Sequence, residues 1–242
     1  MTLRGIVITG TDTGVGKTYV AAGIIRALRE RRVRVGAYKP VVSGSSPGPG
    51  GSVWGDLVRL QTALGGDVPL ERIGPQRFLA PLAPPVAARL EGRTVDPDLL
   101  RSGLDWWRDR ADFVVVEGAG GLLSPLTDDE TIAELACDLE FPLLVVARLS
   151  LGTINHTLLT LEAIGHRRLP VAGIVLNQPG PADPADHSIE TNAEELRRRC
   201  AVPILAILTH DSAPDLLRKS PLSTIDWLGL GQPVRCDWSR ER

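Results

Sequence analysis

Gly16-Lys17-Thr18 sets a flexible backbone, a compact ammonium and a hydroxyl side by side, closing the stretch Gly10-Thr11-Asp12-Thr13-Gly14-Val15-Gly16-Lys17-Thr18. In a loop of this kind backbone N–H groups converge on phosphate oxygens. The lysine reaches the β- and γ-phosphates, and the threonine hydroxyl suits Mg²⁺. Counted from Gly10, five residues rather than four precede the Gly-Lys-Thr, one more than the common GxxxxGK[ST] spacing. Of 27 basic residues only Lys17, Lys39 and Lys219 are lysines. Lys17 and Lys39 follow strand-like runs, where a compact ammonium fits phosphate or a small anion better than a guanidinium fork. Glu117 closes the apolar run Phe113-Val-Val-Val and precedes Gly118-Ala-Gly120-Gly121. A carboxylate at the end of a buried parallel strand is well placed to hold Mg²⁺ or its waters. Asp56 reads as a helix-entry acid.

Other residue types exclude other chemistry. No Ser-His-Asp or Cys-His pattern has a clear signature, and His156, His166, His187 and His210 have no metal-ligand spacing. Cys137, Cys200 and Cys236 are odd in number and far apart, for which a reduced, cytoplasmic protein is the simplest home. The 242 residues, 43% hydrophobic with a net charge of −2, can bury a full core and argue against nucleic-acid or anionic-membrane binding. No apolar run approaches the roughly 20 residues of a membrane span, and the first apolar segment reads as a strand rather than a leader.

The elements that must position these groups follow from the apolar pattern. Strands are expected at 6–9, 33–38, 112–117, 142–147, 171–176 and 202–208. Helices are expected at 19–32, 57–64, 86–90, 96–110, 131–139, from Gly152 to about 168, and 188–200. Residues 41–52, rich in Gly, Ser and Pro, read as an irregular segment over a site; residues 65–85 are rich in Pro and Gly, with 80–85 reading as a loop, and the chain after Thr209 reads as a low-pattern tail. Trp106 and Trp107 are expected to pack rather than bind. The Gly152-Thr153 helix start offers free N–H groups and a positive dipole end to an anion. Asn177, at a strand end, carries an amide suited to a purine edge. The expectation is one α/β domain over 1–242 with a mostly parallel sheet.

Taken together, Gly10 to Thr18, Tyr38-Lys-Pro-Val-Val-Ser-Gly-Ser45, Glu117-Gly-Ala-Gly-Gly121, Leu151-Gly-Thr-Ile-Asn-His156 and Gly173-Ile-Val-Leu-Asn177 resemble the dethiobiotin synthetase family. Phe78-x-x-Pro81-x-x-Pro84 and Glu91-Gly92 also fit. The resemblance implies a three-layer P-loop NTPase fold and an ATP- and Mg²⁺-dependent ligase that closes a ureido ring on 7,8-diaminononanoate with CO₂. It implies ATP contacts from Asp12, Gly14, Val15, Gly16, Lys17, Thr18, Tyr19, Glu117, Gly118 and Asn177, and metal ligation by Thr18, Asp56 and Glu117. Thr13, Lys17, Lys39 and Ser43 would serve catalysis. Lys39, Ser43 and Gly120 would face the diamine, and Gly152, Thr153, Ile154 and Asn155 of a neighbouring subunit would take its carboxylate, which makes the protein a homodimer. Two positions depart from the family: Ala83-Pro84-Pro85 lacks its hydroxyl residue and histidine, and Ile207-Leu208-Thr209-His210 replaces an Ile-Pro turn beside the base. Two rivals share this loop. Cobyrinate-type amide synthetases carry a glutaminase domain for which this chain has no room. Partition and septum-positioning ATPases carry a loop lysine where this chain has Asp12.

Overall fold

Uninterrupted apolar runs build the centre of the molecule. A computed structural model describes residues 3–181, 183–210, 220–236 and 238. In chain order the first half comprises β1 (Arg4–Gly10), α1 (Lys17–Glu30), β2 (Val35–Tyr38), β3 (Val41–Ser43), β4 (Ser46–Gly48), β5 (Gly51–Val53), α2 (Gly55–Leu64), α3 (Leu70–Ile73), β6 (Gln76–Phe78) and α4 (Pro84–Leu90). There follow α5 (Leu99–Ser102), α6 (Asp105–Arg108), β7 (Phe113–Gly121), α7 (Ile132–Leu139), β8 (Leu143–Arg148), α8 (Thr153–His166), β9 (Val171–Asn177), α9 (Ser188–Arg199), β10 (Ile204–Leu208) and α10 (Trp227–Leu230).

Six strands form one parallel sheet in the order β10-β9-β8-β1-β7-β2. Ile6, Val7 and Ile8 of β1, Phe113 to Val116 of β7 and Leu143 to Ala147 of β8 are all buried, as strands covered on both faces must be. Helix α1 buries Val20, Ile24, Ile25 and Leu28, one stripe at helical spacing, against the sheet. The carboxyl ends of all six strands point to the same edge, and the chemistry gathers there.

Several local expectations need correction. Residues 41–52 are not irregular: β3 pairs with β6, and β4 and β5 form a small antiparallel hairpin around Pro49-Gly50, with Gly51 at φ 119°. Pro-Gly followed by a positive-φ glycine is turn chemistry, so the composition that excluded a long strand favoured a short hairpin. Residues 65–85 likewise hold α3 and β6. The expected helix over 96–110 is broken into α5 and α6 at Gly103. A β-carbon at Gly103 would sit 2.3 Å from the Tyr38 hydroxyl, which donates to the Leu99 carbonyl at 2.7 Å. The same hydroxyl reaches the Leu100 carbonyl at 3.2 Å, the acceptor a continuous helix would give the Leu104 N–H, which bonds the Arg101 carbonyl instead.

The tail is also more ordered than its pattern suggested. Trp227 is fully buried, Leu222 packs on Gly23 of α1, and the Gly5 N–H donates to the Gly231 carbonyl at 2.9 Å. This return path brings Cys236 to Cys137 of α7, and the two form a disulfide, leaving Cys200 free. The reading of three reduced thiols is therefore overturned, because a pairing across 99 residues depends on where the tail docks. Among the described residues no helix is long and apolar enough to cross a membrane.

Candidate active site

The loop between β1 and α1 is shaped by two glycines in the left-handed region, Gly14 at φ 72° and Gly16 at φ 96°. Gly16 is the N-cap of α1 and no side chain caps the helix, so its first N–H groups are free for an anion. Lys17 folds back over the loop, its Nζ donating to the Asp12 carbonyl at 3.0 Å, while the Asp12 carboxylate accepts from the Thr13 N–H at 2.6 Å. Val15 is fully buried beneath the loop, so it contributes through its backbone.

A charged cluster faces this loop. Thr18 Oγ1 donates to Glu117 Oε1 at 2.7 Å, and Lys39 Nζ donates to the same oxygen and to Asp56 Oδ2, both at 2.6 Å. Burial alone would lower the Lys39 ammonium, but the charges of Glu117 and Asp56 and their hydrogen bonds outweigh it and hold its pKa above the ordinary value. Burial likewise pushes against the Asp56 carboxylate, yet Lys39 holds its pKa below the usual aspartate value. Lys17 is the opposite case: burial, helped by the charge of Lys39, drives its ammonium down despite Glu117 and Asp56. Glu117 Oε2 is buried and has no hydrogen-bond partner among the described residues. An orphaned carboxylate oxygen beside a threonine hydroxyl and a second carboxylate is an all-oxygen donor set, which fits Mg²⁺. Thr18, Asp56 and Glu117 would hold it.

These groups line a cleft of about 1130 Å³. Thr13, Gly14, Gly16, Lys17, Thr18, Tyr19, Lys39, Ser43, Asp56, Glu117, Gly120 and Asn177 all reach its wall. Asp12, Val15 and Gly118 lie behind it: a β-carbon on Gly118 would meet Ile132 at 2.9 Å, so that glycine serves packing. Ser43 donates its hydroxyl to the Leu82 carbonyl at 2.6 Å, joining the 80–85 loop to the cleft, and Ala83 and Pro84 stand in the wall. Asn177 Nδ2 is engaged with the Val15 carbonyl at 2.8 Å.

Gly152, Thr153, Ile154 and Asn155 are not brought to this cleft. They begin α8 elsewhere on the carboxyl edge, behind an uncapped Gly152 at φ 92°. The preceding turn is held firmly: Asp186 accepts from the Leu151 N–H at 3.0 Å and Asn192 donates to the Ser150 carbonyl at 3.0 Å. Leu151 is 82% exposed, whereas Thr153 is buried with its hydroxyl unpartnered among the described residues.

Sequence reasoning missed several wall residues. Ser124 accepts from the Gly121 N–H at 2.8 Å and excludes any side chain at Gly120. Gln178 and Pro179, which follow β9, close the far end together with Thr209 and His210, the pair the resemblance had already set beside the base. Outside the wall, and likewise missed, Arg148, the last residue of β8, donates to the Gly14 carbonyl at 3.3 Å. One arginine at a strand end carries no signal in a chain this rich in arginine. For Gln178 and Pro179 the only pointer was their position after a buried strand.

A parallel sheet whose first strand runs through this glycine loop into a helix makes the chain a P-loop nucleotide-binding protein, and a family described as an AAA domain matches residues 4–215. Solved structures show the same fold. They include the septum site-determining protein MinD from Pyrococcus horikoshii complexed with Mg-ADP (TM-score 0.52, 18% identity, 94% of this chain and 88% of that one). A ParA family ATPase from Chlorobium tepidum is similar (TM-score 0.53, 18% identity, 94% and 92%). Sequence likeness is much higher elsewhere. The ATP-dependent dethiobiotin synthetase BioD of Anaeromyxobacter dehalogenans is 49% identical over 90% of this chain and 94% of its own length. Its namesakes in Rhodopirellula baltica and Bacillus subtilis are each 41% identical, over 88% and 85% of this chain and 87% of each relative. The chain belongs to the ATP-dependent dethiobiotin synthetase family.

Proposed function

We propose that this protein makes dethiobiotin from 7,8-diaminononanoate, CO₂ and ATP, in biotin biosynthesis. One observation carries the reading beyond nucleotide binding: a buried lysine, Lys39, stands between Asp56 and Glu117 across the cleft from Lys17. Partition-type ATPases carry their additional lysine within the loop itself, whereas here the second ammonium comes from the end of β2 and is buried between two carboxylates. A ligase that phosphorylates a carbamate gathers several anions at one point and needs that charge.

The reaction balances as follows. One substrate amine adds to CO₂ and gives a carbamate. A carbamate oxygen then attacks the γ-phosphorus, and ADP leaves. The second amine attacks the carbonyl of the mixed anhydride, expelling phosphate and closing the ureido ring. Lys17 neutralises the β- and γ-phosphates; Lys39 bridges carbamate and γ-phosphate; Thr13 and the loop N–H groups orient the transferred group. Ser43 and Gly120 border the diamine. Mg²⁺, held by Thr18, Asp56 and Glu117, offsets charge on the phosphates. No covalent nucleophile is required, since proximity and charge neutralisation supply the rate.

The start of α8 lies away from the cleft, and the exposed Leu151 just before that helix and Leu159 on it suit a second copy of the chain. We read the protein as a homodimer in which Gly152, Thr153, Ile154 and Asn155 of one protomer receive the carboxylate of the diamine bound in the other. Mg²⁺, ATP, bicarbonate and the diamine should together yield dethiobiotin and phosphate. ATP hydrolysis indifferent to the diamine, with no ureido product, rejects the assignment. Turnover with CTP and GTP compared with ATP tests whether Thr209 and His210, in place of an Ile-Pro turn, relax the choice of base.

A further inference from the structure

Two neighbouring strand ends reach the phosphate loop. Arg148 ends β8 and Asn177 ends β9, and the two are register partners across the sheet. Their side chains bond consecutive carbonyls of the loop: Arg148 Nη2 donates to Gly14 O at 3.3 Å and Asn177 Nδ2 to Val15 O at 2.8 Å. We propose that Arg148 and Asn177 are positioning residues that set the phosphate loop in its anion-binding conformation before nucleotide arrives. The inference rests on the nucleotide-binding reading above and gives Asn177 a task separate from any contact with the base.

The argument is one of peptide geometry. Each peptide unit is planar and trans, so fixing a carbonyl fixes the N–H of the next residue on the opposite side. Holding Gly14 O on Arg148 therefore turns the Val15 N–H to the side away from Arg148, and holding Val15 O on Asn177 turns the Gly16 N–H away from that amide. Gly14 and Gly16 both lie at positive φ, and glycine rotates among backbone wells at little cost, so the loop needs an outside restraint to keep one set of N–H groups pointed at a ligand. A third carbonyl, Asp12 O, is bound by Lys17, but that ammonium is required by the phosphates and is released when they bind. Arg148 does not line the cleft, and its bond can persist with ligand present.

Packing supports the assignment. Asn177 is buried, so its amide depends on protein partners for hydrogen bonds. A β-carbon at Gly16 would sit only 2.1 Å from Asn177 Nδ2. The amide is pressed onto the loop, and glycine at 16 is demanded by the strut as well as by φ. The Leu149 N–H also donates to the Asn177 carbonyl at 2.8 Å, which locks the two strand ends together.

Magnesium tripolyphosphate has the phosphates of ATP and no base, so it separates the two roles of Asn177. Calorimetric titration of wild type, Asn177→Ala, Asn177→Asp, Arg148→Ala and Arg148→Lys with ATP and with tripolyphosphate is the test. The strut predicts that both Asn177 variants lose about tenfold affinity for both ligands. Arg148→Ala should lose about threefold for both, since its bond is longer and exposed, and Arg148→Lys should recover part of it. Amide hydrogen exchange in the nucleotide-free protein should speed up at Val15 and Gly16 in Arg148→Ala, with the melting temperature unchanged. Should the Asn177 variants fail to fold, Arg148→Ala carries the test alone. Unchanged tripolyphosphate affinity and unchanged exchange in the variants overturn the proposal. Wild-type protein that binds neither ligand overturns the nucleotide reading instead.

Discussion

Helices α1 and α8 are both 14 residues long, and both start behind a glycine in the left-handed region without a side-chain cap. Both open on a short charged or hydroxyl sequence, Lys17-Thr18 in one and Thr153 in the other. Their surroundings differ. At α1 the start is enclosed by the same chain: Lys17 and Thr18 are buried, Glu117 receives the Thr18 hydroxyl, and Asn177 presses on Gly16. At α8 nothing lies within 4 Å of a β-carbon placed on Gly152, and Leu151 projects into solvent. One helix start is a finished half-site. The other has no partner for its outer face among the described residues, and the proposed second protomer would complete it.

That contrast can be broken in graded ways. Gly16→Ala should be the most damaging change, because the new methyl both strains φ 96° and drives into the Asn177 amide. Turnover and ATP affinity are expected to fall more than about 100-fold, whereas Gly152→Ala should cost about 1 kcal/mol of backbone strain and leave ATP affinity intact. Calorimetry and thermal melts on the pair decide it; equal effects would erase the distinction. Lys39→Ala should lower kcat by about 10²–10³-fold while ATP still binds, as expected for a group that acts on the transferred charge. If ATP affinity collapsed, Lys39 would be chiefly a nucleotide anchor.

Leu151→Glu probes the α8 side. It should shift the protein toward monomer in sedimentation and raise the diamine KM about tenfold, with ATP affinity unchanged. A dimer that survives with normal kinetics would remove α8 from the interface. The smallest effect concerns pH. Asp56 ionises more readily in the folded protein than its ordinary value of 3.8, so its contribution to stability is present above 3.8 and is lost as pH falls through the lower folded value. Wild type should therefore progressively lose its stability advantage over Asp56→Asn as pH falls below about 4 in denaturant titrations. No such dependence is expected from changes around Gly152.

Much of the α1 side was legible in the sequence. The glycine loop with Lys17 and Thr18 declares itself by its motif, and Glu117 because it sits directly after an apolar run, and strand ends are where parallel sheets gather ligands. Lys39 stood out through the scarcity of lysine. The Arg148 strut did not, since its meaning lies in which loop carbonyl its guanidinium meets. The break at Gly103 depended on the bulk of Tyr38, and the Cys137–Cys236 bond on a tail that returns beside β1.

The sequence by itself determined the local shapes: positive-φ glycines, a helix with free N–H groups and buried strands ending in charged or amide residues. Such features are set by sterics within a few residues. Only the tertiary structure decided that Lys39, Asp56, Glu117 and Thr18 form one cluster, because the strand order places β7 between β1 and β2 although 78 residues separate Lys39 from Glu117. Strand order is settled by which buried faces pack together, a sum over many weak apolar contacts that no short stretch of sequence contains.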